Sequence, residues 1–244
     1  MASFAKVLSS ERLKMSKTNM WILVIMSPIV SSLVGILSNI PEDHKSWGVL
    51  LMYMASVHAM LFLPILPGVF AAFICRYEHV GGGWKQILAL PVKRSSLYIA
   101  KFTVVAGMLA VSQLLFTAVY LGIGFMRGFT APIPWELIAT SILGGWIATL
   151  PLAALQLTAS LVWTSFAAPL ALNVIFTLPN MLVANSERFA PYYPWVQPML
   201  TMLSASSEDF GAFNLPLSQI MTIVVSSFVV FFVAGLVLIG RKEV

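Results

Sequence analysis

Six apolar stretches, each about as long as a membrane is thick, constrain this chain more than any other feature. A helix rises about 1.5 Å per residue and the hydrocarbon core of a bilayer is about 30 Å deep, so about 20 apolar residues are needed to cross it. Stretches at about residues 20–40, 47–75, 102–126, 136–163, 166–183 and 218–239 meet that need. The second is long enough to tilt or bend. The fourth and fifth belong to one nearly unbroken apolar run over residues 135–183, which as a single helix would exceed about 70 Å. It must turn back, and Trp163, Thr164 and Ser165 are the expected turn.

Composition agrees. Only 9% of the 244 residues are charged, 59% are hydrophobic, and the mean hydropathy is +0.91. A soluble domain carries about 25% charged residues. So few charges cannot cover a water-facing surface, whereas a lipid-facing one needs none. No polar stretch is long enough to bury a core of its own. The expected fold is therefore all-α and integral to the membrane, a single membrane domain over residues 1–244 with six transmembrane helices. The first apolar run is longer than the apolar part of a signal peptide and is expected to stay as the first helix.

Lys and Arg orient the spans. Eleven of the fourteen fall on one side: Lys6, Arg12, Lys14 and Lys17 before the first span, Arg76, Lys85, Lys93, Arg94 and Lys101 around the second–third loop, and Arg241 and Lys242 after the last. Lys45, Arg127 and Arg188 fall on the other. Both termini are thus expected in the cytoplasm, in keeping with an even number of spans. The same asymmetry accounts for the net charge of +5 without a nucleic-acid partner. Within residues 1–19, about 3–17 are expected to form an inner interfacial helix, with Phe4, Val7, Leu8 and Met15 as its apolar side and Lys6, Arg12, Lys14 and Lys17 as its basic side. The outer segment, about 184–217, carries Tyr192, Tyr193 and Trp195 and is expected to form short interfacial or re-entrant helices before the last span.

Several chemistries lack their residues. There is no GxxxxGK[ST] phosphate loop: Gly81, Gly82, Gly83, Trp84 and Lys85 have neither the spacing nor the hydroxyl. There is no HExxH, and no Cys/His cluster at metal-ligand spacing. His44, His58 and His79 are scattered, and the single cysteine, Cys75, reads as a small buried hydrophobe. The spans carry no ionisable residue near mid-depth except His58, which argues against a proton- or ion-coupled carrier and suits a machine driven from outside the bilayer. Their neutral polar residues, Gln113, Gln156, Asn173 and Asn180, either line a path or bond between helices. Pro28, Pro64, Pro67, Pro151, Pro169 and Pro179 are positioned to kink the spans, and the pairs Gly144/Gly145 and Ala106/Ala110 permit close helix approach. At the outer face, Tyr192, Tyr193, Trp195 and Glu136 are candidate contacts for a peptide, or else interface anchors and a helix-end charge.

The second–third loop, about 76–101, is the most informative segment. Its glycines permit a tight turn, residues 84–90 are long enough for about two helical turns, Pro91 ends them, and a new helix is expected to start at Ser95 or Ser96 as cap. Such a short helix at the membrane face is either a docking surface or a positively charged loop with no partner. Here the residues resemble a known family. Glu78, Gly82 or Gly83, apolar 87–90, Pro91, Arg94, Leu97, Tyr98 and Lys101, together with Glu11, Arg12, Leu13 and Lys14 before the first span, are similar to the permeases of type-2 ABC exporters. Within that family the chain most resembles the small permeases of lantibiotic-immunity and bacitracin-resistance exporters. His79, Val80 and three consecutive glycines make the first half of the loop looser than the family pattern.

The resemblance implies a transporter of two permeases and two ATPase subunits in a bacterial plasma membrane. The second permease is a copy of this chain or a homologue, and the cargo an amphipathic antimicrobial peptide. ATP and magnesium belong to the ATPase, with no cofactor in this chain. Glu78, Gly82, Gly83, Trp84, Lys85, Gln86, Pro91 and Arg94 are then the ATPase-coupling residues, and Gln113, Glu136, Gln156, Asn173, Tyr192, Tyr193 and Trp195 the candidate substrate path. A membrane enzyme acting on lipid-linked substrate, or a scaffold or sensor that moves nothing, are the alternatives from other classes.

Overall fold

In lipid every backbone N–H and C=O must find its partner within the protein, and a helix does this within one segment. The computed structural model describes residues 4–16, 18, 20–40, 46–80, 83–89, 91–204 and 211–242, and among them every regular element is helical. α1 (Phe4–Ser16) leads into α2 (Met20–Leu37). α3 (Trp47–Val57), a π-helical turn (His58–Phe62) and α4 (Leu63–His79) run on as one 33-residue helix. The short α5 (Gly83–Ala89) precedes α6 (Arg94–Met126) and α7 (Trp135–Val162). α8 (Ala167–Thr177), α9 (Asn180–Ala184), α10 (Gln197–Met202) and α11 (Leu217–Gly240) complete the order, with single 3-10 turns at Ala190–Tyr192 and Gly211–Asn214.

Five helices are long and apolar enough to cross a membrane: α2, the continuous α3–α4, α6, α7 and α11. The expected fifth span, 166–183, is instead divided. The chain leaves α7 at Trp163 in extended backbone and re-enters a helix at Ala167, but α8 has only 11 residues. Pro179 lacks an N–H and its ring crowds the carbonyl one turn back, so the helix breaks at Leu178 and Pro179 before α9 resumes.

The π turn has visible causes. Leu63 N–H bonds to the carbonyl of His58, five residues back. Pro64 has no N–H to offer Met60, and the Met60 carbonyl takes the side-chain amide of Asn180 instead (3.0 Å). The carbonyls of Pro64 and Ile65 take that of Asn173 (3.0 Å each). Gly68 is what lets α8 come so close, because a Cβ there would overlap the Asn173 side chain.

Two other expectations are corrected. α6 begins at Arg94 with Lys93 as its N-cap, without a side-chain cap, and Ser95 and Ser96 lie in its first turn. The cap position needs extended backbone, and after Pro91 it is Lys93 that has it (φ −66°, ψ 131°). α1 buries Val7, Glu11 and Met15, one turn apart, whereas Phe4 is exposed and Lys14 turns inward. Lys17 lies outside the described residues. In the outer segment α10 is buried along its whole length, packed on α7, and Met202 reaches the level of Gln113 in the middle of α6.

Candidate coupling site at the basic end

Three distant parts of the sequence meet at the end of the bundle where Lys and Arg gather. Lys101, about two turns into α6, is fully buried. Its ammonium bonds to Glu11 Oε2 of α1 (2.8 Å), Glu78 Oε1 near the end of α4 (2.8 Å) and the Ile74 carbonyl (2.9 Å). Lys14, also on α1, reaches the free oxygen of Glu11 (2.7 Å) and shares Glu78 Oε1 (2.6 Å). Two carboxylates and two ammoniums thus form a neutral, closed cluster pinning α1 to α4 and α6. Isolated charges cannot be buried so deeply. Together they offset one another's desolvation, and losing one leaves the rest uncompensated.

α5 is seated on this cluster and on two further helix ends. Gly83 packs against the backbone of Tyr77 and Glu78 so tightly that a Cβ would collide with it. Trp84 is buried; its indole N–H donates to His79 Nδ1 (3.3 Å), whose Nε2–H donates to the Ser160 carbonyl in the last turn of α7 (2.8 Å). Lys242 lies over the Trp84 ring (4.4 Å) and donates to the Leu161 carbonyl (2.6 Å). Partial burial lowers its ammonium below the usual lysine range. Arg94 donates to the Gly240 carbonyl at the end of α11 (2.8 Å). Cations on unpaired C-terminal carbonyls satisfy acceptors that a helix leaves open. α5 is thereby joined, through Trp84 and its flanking loop, to the ends of α4, α7 and α11.

Of the residues singled out from sequence, Glu78, Gly83, Trp84 and Arg94 come together here. Glu78 faces inward, with 1% of its surface exposed. Lys85, Gln86 and Pro91 are solvent-exposed along α5 and just after it. Gly82 lies outside the described residues. Sequence reasoning left Lys101, Glu11, Lys14, His79 and Lys242 off the site. A glutamate set between Val7 and Met15 on the one buried face of α1 was a legible signal. Nothing in the sequence marks Lys242 as reaching Trp84.

The candidate path residues divide. Asn173 is a hub: Oδ1 accepts from Gln156 Nε2 (2.9 Å) and Trp195 Nε1 (2.7 Å) while its amide holds α4. Gln113 belongs to a separate group. It accepts from His58 Nε2 (3.2 Å), which leaves His58 Nδ1 to accept from Ser27 (2.5 Å). Tyr193 donates to the Phe176 carbonyl (2.6 Å), and partial burial raises its phenol above the usual range. Tyr192 and Glu136 are exposed and stand apart from these groups.

The model of the ABC-2 family transporter protein matches residues 7–180, more than half of the chain, from α1 through the whole ion cluster and α5 to the start of α9. No curated protein gives a significant match. Five helices long and apolar enough to cross a membrane and this family together make the protein a multi-pass membrane permease component whose family implies an ABC ATPase partner. The chain belongs to the ABC-2 transporter family.

Proposed function

We propose that the protein is the permease subunit of an ATP-driven exporter and that α5, with its exposed Lys85 and Gln86, is the surface the ATPase presses on. The observation that carries this reading is the seating of α5. Trp84, Gly83 and Glu78 fix a seven-residue helix to four other elements, so a push on α5 is delivered to the ends of α4, α6, α7 and α11 together. Glu78 and Arg94 then transmit force from inside, whereas Lys85, Gln86 and Pro91 meet the partner, and Gly82 is proposed as a coupling residue beside them.

In this reading the whole chain is one permease domain. α8 and α9 together make the sixth crossing, both termini lie in the cytoplasm, α1 lies on the inner surface, and residues 184–217 form the outer segment. Two ATPase subunits hold ATP and magnesium, and a second permease, a copy or a homologue, completes the assembly in a bacterial plasma membrane. The resemblance to lantibiotic-immunity and bacitracin-resistance permeases makes an amphipathic antimicrobial peptide the proposed cargo. Tyr192 and Glu136 are its first contacts on the outer face. The group around Gln156, Asn173, Tyr193 and Trp195, and the group around Gln113, are the parts of the path that open when the helices move.

Tagged protein purified in mild detergent is expected to bring down an ATP-hydrolysing subunit. Lys85→Glu is expected to weaken that association. Trp84→Ala is expected to preserve association but to lower peptide-stimulated hydrolysis by about tenfold, the effect of one lost cation–π and hydrogen-bonded anchor. A protein that purifies without an ATPase under several conditions, or one whose association ignores Lys85→Glu and whose hydrolysis ignores Trp84→Ala, would overturn the reading.

A further inference from the structure

Beside His79 lies a hollow of about 110 Å³ between the end of α4 and the turn from α7 to α8. Arg76, Ser160, Thr164, Ser165 and Phe166 border it, and none of its lining residues is acidic. Arg76 stands over the Phe166 ring (5.7 Å), and among the described residues it has no carboxylate partner. Ser160 is 2% exposed, and its hydroxyl has no hydrogen-bond partner. α8 starts at this spot, with Ser165 accepting from Ala168 N–H (3.4 Å) and the rest of its first turn uncapped by Phe166. A second hollow of about 470 Å³ meets the first at Arg76 and Val80 and is walled by Phe73 and Tyr77.

These features describe one kind of ligand. An unpaired guanidinium, hydroxyl donors, the open N–H groups of a helix start and a buried unsatisfied hydroxyl all seek oxygen acceptors carrying negative charge. The absence of any carboxylate in the lining removes competition and rejects a cation. The adjoining hollow, lined by Phe73, Tyr77 and Val80 as well as Thr18, offers apolar surface to a hydrocarbon chain. We propose that this corner binds the phosphate headgroup of an anionic phospholipid, with Arg76 as its anchor and one acyl chain lying beside Phe73. Basic pockets between helices at a membrane border hold such headgroups elsewhere. The proposal requires only that the chain spans a membrane, and it is independent of what is transported.

The lipid would sit where α7 turns into α8, next to the Ser160 carbonyl held by His79. The site therefore lies within reach of the helix ends on which α5 rests. An occupied site would stiffen that turn without touching the ion cluster.

The test is native mass spectrometry of the full chain released from mixed micelles holding equal amounts of phosphatidylglycerol and phosphatidylcholine with identical acyl chains. Wild type is expected to retain phosphatidylglycerol preferentially. Arg76→Gln is expected to reduce that retention about tenfold or more, the loss of one charge-assisted contact, and Arg76→Lys to fall between. Arg241→Gln removes a cation at the same end but outside the hollow and is expected to change nothing. No preference in the wild type, or equal losses in Arg76→Gln and Arg241→Gln, would overturn the site in favour of diffuse attraction. Displacement of the lipid by millimolar inorganic phosphate would overturn the lipid assignment in favour of a free anion.

Discussion

Lys101 has three oxygen partners and no exposed surface, and its removal should be the most damaging single change at the basic end. Lys101→Met leaves Glu11 and Glu78 buried with Lys14 alone between them. We expect a loss of about 3–5 kcal/mol, read as a lowered thermal unfolding midpoint in detergent. The double change of Glu78→Gln with Lys101→Met should recover part of it, because one of the stranded charges goes too. A double-variant loss equal to the sum of the two single losses would show that the cluster does not act as a unit. Asn173→Leu should cost about 1–3 kcal/mol for each buried partner left unpaired, among them the Gln156 amide and the Trp195 indole. Sequence alone offered Asn173 as either path or glue. It could not choose, because a lone polar side chain in an apolar run looks the same in both roles until its neighbours are known.

At the scale of elements, the helix from Trp47 to His79 is organised by its π turn. The extra residue there rotates α3 relative to α4 by about 100°, which presents His58 to Ser27 and Gln113 while Gly68 faces Asn173. Deleting Ala59 should restore an unbroken α ladder and mis-set one of these two faces. The expected outcome is a protein that inserts but unfolds at a markedly lower temperature, and an unchanged midpoint would show that the π turn is incidental. Gly68→Ala tests the other face and should cost about 1–3 kcal/mol by overpacking α8 away from α4. The lengths of the long helices were legible in the sequence because length and apolarity alone set them. The π turn was not, since no local pattern distinguishes it from the α-helix around it, and the division of 166–183 depends on Pro179, which kinks some spans and breaks others.

Seen whole, the molecule gathers its cations at one end, and that asymmetry is a prediction about sidedness. With the buried Cys75 replaced by Ala, single cysteines at Glu136 or Arg188 should react with a membrane-impermeant maleimide added to intact cells. Cysteines at Lys85 or Ser95 should react only after lysis. The reverse pattern would invert the proposed orientation. Charge counting read this asymmetry directly, and the family resemblance drew attention to the loop that holds Glu78 and Trp84. What neither supplied was the inward turn of Glu78 and the closure of its cluster, because both depend on α1 folding back over a helix end far along the chain. The cluster also sets an order of events during synthesis. Glu11 and Lys101 are 90 residues apart, and chains grow at about 5–20 residues per second. For some seconds, then, both carboxylates exist without their principal counter-ion, and neither can leave water. The first half of the protein must wait at the membrane surface, half-docked, until α6 arrives with the charge that lets it close.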